Sequence, residues 1–414
     1  MSKDLYETRM QRVNDALALK EPDLIPIAPS FMTFPFLYAG YTMAEVNYDV
    51  DKAKDAIRKY LNFFQPDMGS SYAMTFAGQF PMLEQLGVKW LQWAGQEGSI
   101  VTDKSIFQYV EKAYLEDSEY PELLNDQTGW ILRKYLPRTT KLFEPLANVD
   151  FRSMIAYGLQ PGTLQFLNPG IAGAFVALGK IAGEFLAYYK DLSVFENEIM
   201  EMGFPLQTAA ITVTAFDQLS DCLRGTIGTM MDIIEQPENV MEAVERFFPD
   251  TLYATVAQAK NSGGRFVFIP LHKGMDSFLS DSQYRRFYWD TLLRLVNGLV
   301  DSGLTPWIYT EGPYNSRIEC LMDVPKGKTW IHFETADMKK AKKMLGDVAC
   351  LSGGISSQML MFGNKEDVIN KTKENIDILA PGGGYIFDLS DTMEDCKPEL
   401  VEAMFETVRT YGKK

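Results

Sequence analysis

The sequence predicts an α/β fold of the (β/α)8 barrel type, and three observations carry that expectation. The runs PWIYTEG, TWIHFETAD and GGYIFDLSD each hold four to six β-favouring residues and then break at a carboxylate, Glu311, Glu334 and Asp388 respectively. Helical periodicity fills the intervals between them, which is the rhythm of parallel strand, loop and helix. In a barrel of this kind the strand C-termini converge on one face, so carboxylates far apart in sequence can meet there.

Each element follows in order from its pattern. Leu5, Met10, Val13, Ala16 and Leu17 recur at helical spacing over residues 5–19, as an N-terminal extension, and EPDLIPIAPS reads as a turn and a first strand over 25–29. Residues 25–50 hold no Lys or Arg, while Phe31, Phe34, Phe36, Tyr38 and Tyr41 crowd around Pro35 and Gly40. We read an aromatic loop after a strand, whose rings either pack the barrel mouth or form a flat apolar substrate pocket. Tyr72, Met74 and Phe76 extend the same theme in PDMGSSYAMTFAG, a second strand and loop. Residues 51–64 form an amphipathic helix, and 80–87 a short helix capped by Gly87.

The region of about 95–192 departs from this rhythm. It offers a charged helix over 103–115, a Pro/Arg-rich join around Pro137 and a Gly/Ala-rich helix over 172–189, and it is expected as a helical insertion in a single barrel domain spanning 1–414. A strand and loop return at 204–216, followed by helices with Arg224 and Asp232 near glycines. RFVFIPLHKG is a buried strand running into His272, Lys273 and Gly274, and residues 281–301 make the next amphipathic helix. VACLSGGIS is a further strand, and the helix over 367–379 leads through Gly382, Gly383 and Gly384 to the last one.

Composition narrows the function. A hydrophobic fraction of 46% over 414 residues supplies a large core, and a net charge of -15 disfavours a nucleic-acid partner. Cys222, Cys320, Cys350 and Cys396 stand far apart without a CxxC motif, so neither a disulfide framework nor a cysteine zinc site is expected. Read by eye, no apolar run reaches the length of a membrane span and the N-terminus is charged throughout, so a cytoplasmic protein with no membrane partner is expected.

The segments RGTIGTMMD, FIPLHKGMDSFLSDSQYRRFYWDTLLRLVNGLVDSG, HFETAD, LSGGIS and GGGYIF resemble the uroporphyrinogen decarboxylase superfamily, over essentially the whole chain. The resemblance implies a (β/α)8 barrel and one of two chemistries, decarboxylation of porphyrinogens or methyl transfer involving corrinoid proteins and thiols. The thiol methyltransferases of that family bind zinc through a His-x-Cys pair and a later Cys. The corresponding places here are Tyr309, Glu311 and Asp388, whose carboxylates retain oxygen ligands for zinc or a harder cation. Glu334 falls where the related cobalamin-independent methionine synthases put an acidic ligand. His332, two residues earlier on the same strand, is either a further ligand or a satisfied core histidine. His272, at another strand end, is either catalytic or hydrogen-bonded locally.

Family members that decarboxylate porphyrinogens place arginines after strand one, and this chain has none there. The uncharged aromatic loop suits a benzene ring instead. The implied reaction is transfer of the methyl group of a methoxylated aromatic compound to cob(I)alamin on a separate corrinoid protein. No Asp-x-His-x-x-Gly corrinoid motif exists here, since the two histidines lie in IPLHKG and TWIHFET. The candidate catalytic residues are Glu311, Asp388 and His272, the candidate ring contacts Phe31, Phe34, Phe36, Tyr38, Tyr72 and Tyr309, and the candidate zinc set Glu311, Glu334 and Asp388 with His332. A decarboxylase of a carboxylated substrate, methyl transfer from an amine or thiol donor, and a non-catalytic binding barrel stay open as alternatives, as does homodimerisation.

Overall fold

The computed structural model describes residues 2–152, 154–155 and 163–413. Two short strands, β1 (Leu91–Trp93) and β2 (Phe107–Tyr109), pair as an antiparallel hairpin apart from the main sheet. That sheet is parallel and runs in chain order through β3 (Ala210–Ile211), β4 (Phe266–Leu271), β5 (Thr305–Pro313), β6 (Trp330–Thr335) and β7 (Cys350–Gly353). Both faces of β4 to β7 are covered, which is why their sequences are near-continuous apolar runs rather than alternating ones.

Three further extended segments carry the circuit on. Residues 385–393 bridge β7 at Leu351 and Tyr385, and residues 24–31 bridge them in turn at Ile27 with Phe387 and at Phe31 with Met393, all parallel. Asp67 N–H then donates to Ile27 C=O at 2.7 Å, and Gly69 bridges Leu206 just before β3. The expected α/β barrel order is therefore present, but regular pairing covers five strands and single bridges join the rest. The reasons are local. Pro26 and Pro29 have no N–H to give a ladder, and the Asp388 carboxylate takes the N–H of Ser30 and of its own neighbour Leu389, each at 2.8 Å.

The interior is layered by strand alternation. The lowest layer holds Phe266, Trp307, Trp330, Cys350 and Ile386, closed from below by Val13, Ala16 and Leu17 of the N-terminal helix Ser2–Leu17. Trp307 and Trp330 stack there at 4.4 Å. Tyr309, His332, Ser352 and Asp388 form the middle layer, and Glu311 and Glu334 lie two residues further up β5 and β6.

Two expectations are corrected. Residues 103–115 are not a helix, since they carry β2 and irregular chain, and Phe107 and Tyr109 sit two apart on one strand face. The Gly/Ala-rich segment is a 33-residue helix, Pro169–Glu201, long and apolar enough to cross a membrane, with 17% of its apolar window buried. Its inner edge, including Ile181, Tyr188, Leu192 and Phe195, packs inward, while Val176, Leu186 and Val194 face out.

Candidate active site

The charged residues at the C-terminal mouth come from four neighbouring elements. Residues 214–224 leave β3 as a capped turn, with Thr214 Oγ1 accepting the Asp217 N–H at 3.0 Å, and continue as a π-helical turn over Gln218–Arg224. This turn places Asp217 inward and Asp221 at the mouth. β4 ends at Leu271, so His272 and Lys273 emerge directly opposite, and Asp217 accepts both of their backbone N–H groups together with the Tyr288 hydroxyl at 2.5 Å. Asp217 is fully buried, and burial raises its carboxyl above the usual range against the pull of His272.

Asp221 reaches both cations. One carboxylate oxygen lies 2.5 Å from His272 Nδ1 and the other 3.1 Å from Lys273 Nζ. The remaining ring nitrogen, Nε2, lies 3.9 Å from Glu311. Burial alone would depress the imidazole, but the hydrogen bond that Nδ1–H donates to Asp221 and the charges of Asp217, Glu311 and Asp221 outweigh it and raise His272 to about 9. It is an imidazolium at neutral pH.

Glu311 owes its position to a bulge. Thr310 pairs with Phe333 and Pro313 with Thr335, so Glu311 and Gly312 together oppose Glu334. Gly312 has φ +73°, and its N–H donates to the Glu334 carboxylate. Burial raises the Glu311 carboxyl, with His272 opposing and Glu334 and Asp221 reinforcing. An acid and a base of adjustable proton affinity thus face each other across the mouth.

Aromatic rings cover one side of this cluster. Phe107 of β2 packs on Phe76 at 5.2 Å and on Tyr109 at 5.3 Å, and Trp90 stacks on Tyr109 at 6.0 Å. Tyr109 is 54% exposed, and desolvation first, then its neighbours Cys222, Asp221 and Glu311, push its phenol up to about 12.

The structure separates the other expected site residues from this mouth. Asp388 and His332 are wholly buried one layer down. His332 Nδ1 lies 3.1 Å from Ser352 Oγ and 3.2 Å from Asp388, and Nε2 lies 3.1 Å from the Ser390 carbonyl, so both ring nitrogens are engaged within the core. Asp388 also accepts the Ser30 hydroxyl at 3.0 Å. Among the described residues no three His, Cys, Asp or Glu side chains are gathered to hold a metal ion. Glu311, Glu334 and Asp388 therefore do not fit as a zinc set, because strand alternation puts Asp388 one layer, about 7 Å, below the layer that holds the other two carboxylates.

The aromatic pocket is corrected as well. Phe34, Phe36 and Tyr72 are 1% exposed or less, and Phe31 and Tyr309 scarcely more. Phe34–Tyr38 is a helical turn whose rings pack edge-on against Tyr60, Phe63 and Phe64 of helix Val50–Phe64. Tyr72 packs on Tyr188 and Phe195 and donates to Asp191. These rings are core; Tyr38 and Tyr41 alone among the early ones are partly open. Sequence reasoning missed Asp217, Asp221, Lys273, Phe107 and Tyr109. The signals were the FDQLSD spacing, which puts two acids on one side of a helical turn, and the two-residue alternation in FQY read as helix.

With this geometry in place, comparison with known proteins supplies the class. The uroporphyrinogen decarboxylase (URO-D) family model matches residues 207–411, the part that holds Asp217, Asp221, His272, Lys273, Glu311 and Glu334, and this part of the chain belongs to the uroporphyrinogen decarboxylase superfamily. That is an enzyme superfamily. The fold is similar to that of a methyltransferase from Methanosarcina mazei, with a TM-score of 0.63 and 12% identity over 97% of this chain and 98% of that one. A comparison with curated proteins finds no match. The hairpin β1–β2 and helix Pro169–Glu201 lie outside the matched family region.

Proposed function

We propose that the chain is a cytoplasmic methyltransferase that takes the methyl group from a methoxylated aromatic compound and passes it to cob(I)alamin carried by a separate corrinoid protein. The observation that carries this reading is His272, held as an imidazolium by Asp221 and Glu311 beside the ring of Tyr109. Aryl ether demethylation is slow because a phenoxide must leave. The methyl carbon bonds to the acceptor's cob(I)alamin while its bond to oxygen breaks and leaves the electron pair on that oxygen. The oxygen takes a proton from His272 Nε2, since Nδ1 is occupied by Asp221. A donor of pKa about 9 is well matched to a phenol of about 10.

The charge at the mouth supports the same reading over a polycarboxylate substrate. Asp217, Asp221, Glu311 and Glu334 surround two cations, His272 and Lys273, and Lys273 is already paired with Asp221. A polyanion would meet repulsion there, whereas a neutral ring would not. Glu311 lies where it can return a proton to Nε2 between turnovers. No step is assigned to a metal, given the separation of Asp388 from Glu311 and Glu334.

The test is an anaerobic assay of the purified chain with a panel of methoxyaromatics and cob(I)alamin, free or on a corrinoid protein, followed by its absorbance change on methylation. Methyl transfer with release of the matching phenol is expected. Release of carbon dioxide from carboxylated rings without methyl transfer would replace this reading by the decarboxylase one.

A further inference from the structure

Asp217 is a wholly buried carboxylate beside the mouth, and the proposed chemistry gives it no part. Its place follows from where the sheet stops. β4 pairs with β3 as far as Phe268 and with β5 as far as Leu271, and β5 bulges after Thr310. The N–H groups of His272 and Lys273 therefore lie beyond both ladders and need another acceptor. Asp217 supplies it, with Oδ2 at 3.4 Å from the His272 nitrogen and Oδ1 at 3.0 Å from that of Lys273. One carboxylate thus stands in for the next residue of a neighbouring strand.

Asp217 is itself held. The Tyr288 hydroxyl donates to Oδ2 from Tyr284–Trp289, a second π-helical turn of the kind that recurs at functional sites. Tyr288 is wholly buried and packs on the Phe216 ring at 5.7 Å, so its hydroxyl has a fixed place. The chain after Lys273 is fixed from the other side. Gly274 C=O accepts from Arg317 Nε at 3.3 Å, and a Cβ at Gly274 would collide with the Tyr314 hydroxyl. Three consecutive residues past the end of β4 are therefore gripped by buried side chains from the segments after β3 and β5.

This grip decides where the imidazole points. With its backbone fixed, two side-chain torsions place the His272 ring, and the setting adopted puts Nδ1 2.5 Å from Asp221 and Nε2 3.9 Å from Glu311. A strand end free to shift would lose that alignment, and misplacing a reacting group by about 1 Å costs on the order of a hundredfold in rate. The charged groups facing His272 are Asp217, Asp221 and Glu311, with Lys273 held on Asp221.

We propose that Asp217, oriented by Tyr288, is a positioning residue: its carboxylate continues the β4 ladder past its end and so sets the direction in which His272 presents Nε2. The inference rests on the reading of His272 as the proton donor and names what holds that donor in place.

The experiment uses the full chain with two variants, Asp217→Asn and Tyr288→Phe. It reads hydrogen exchange of the amides of His272, Lys273 and Gly274, the NMR titration of His272, and kcat and KM for a methoxyaromatic with cob(I)alamin. Exchange is expected to quicken about tenfold or more in both variants, since an acceptor oxygen becomes an amide donor in the first and the carboxylate loses its anchor in the second. In Asp217→Asn kcat is expected to fall about tenfold to a hundredfold, and in Tyr288→Phe by less, with KM within about twofold of the parent in both. The two variants separate position from charge. The His272 midpoint is expected to drop in Asp217→Asn, which loses an anion, and to stay in place in Tyr288→Phe, which keeps it. Tyr288→Phe also leaves its ring in the core, so it carries the test if Asp217→Asn fails to fold. Unchanged exchange in the folded variants overturns the proposal. Faster exchange with the parent's kcat makes Asp217 a merely structural contact and overturns it as well. Faster exchange and a lowered His272 midpoint in Asp217→Asn, when even the parent transfers no methyl group, support the hold on His272 and overturn the reaction.

Discussion

Tyr309 and His332 lie face to face inside the barrel, with ring centroids 3.9 Å apart and planes 5° apart. The stack is paired with a second one directly below, Trp307 on Trp330, and Trp330 Nε1 donates to the same Ser352 hydroxyl that His332 contacts. Residues that sequence reasoning places in contact with substrate or metal are here part of the interior framework on which the mouth is built.

Asp388 is expected to matter for stability before it matters for chemistry. In Asp388→Ala the Ser30 and Leu389 N–H groups and the Ser30 hydroxyl lose their buried acceptor. Each uncompensated donor costs about 1 to 3 kcal/mol, so a loss of roughly 3 kcal/mol or more is expected in urea unfolding. An unchanged unfolding midpoint would remove Asp388 from the framework.

His272 is expected to titrate far above an ordinary histidine. With two histidines in the chain, proton NMR resolves each imidazole, and the signal of His272 is expected to move at about pH 9. Asp221→Asn removes the hydrogen-bonding anion on Nδ1 and is expected to move that titration downward. A His272 midpoint near 6.5 in the parent chain would contradict the charge assignment.

The same shift has a sign in stability. The folded protein binds the His272 proton more tightly than the unfolded chain, whose midpoint is near 6.5, so the stabilisation is full below about pH 6.5 and is lost as pH rises through about 9. Methyl transfer is expected to decline over the same alkaline limb, because the proton donor disappears. His272→Gln is expected to lower the rate by roughly 10² to 10⁴ and to abolish that limb. A pH profile identical to the parent's would assign the proton to another group.

Two aromatic substitutions separate core from pocket. Phe34→Ala opens a void against Tyr60 and Phe64 and is expected to cost about 3 to 5 kcal/mol of stability with little change in substrate preference. Tyr109→Ala is expected to leave the melting temperature nearly unchanged and to raise KM for a methoxyaromatic by about two- to twelvefold. The reverse pattern would return the pocket to the loop after the first strand.

The strand and helix alternation from Phe266 onward was legible because buried parallel strands are written as apolar runs ended by glycine or acid. The strand ends at His272, Glu311 and Glu334 were legible for the same reason. Asp388 was misplaced because one-dimensional spacing marks a strand end without marking its layer. The true cluster depends on Asp217 and Asp221, whose meeting with His272 follows from the π-helical turn, a geometry with no distinctive residue pattern. The aromatic wall was hidden by charged flanks, Asp103 and Lys104 before it and Glu111 and Lys112 after it, which made a three-residue strand read as helix.

The helix Ser2–Leu17 seals the bottom of the barrel with Val13, Ala16 and Leu17. Among the described residues, what reacts is then left to arrive and depart by the mouth at the strand C-termini. On the proposed chemistry the demethylated product occupies the mouth that the next ring and the methyl acceptor also use. Such traffic imposes a queue: the phenol is expected to inhibit competitively against the methoxyaromatic, and release of product rather than bond breaking sets the tempo whenever the acceptor is abundant.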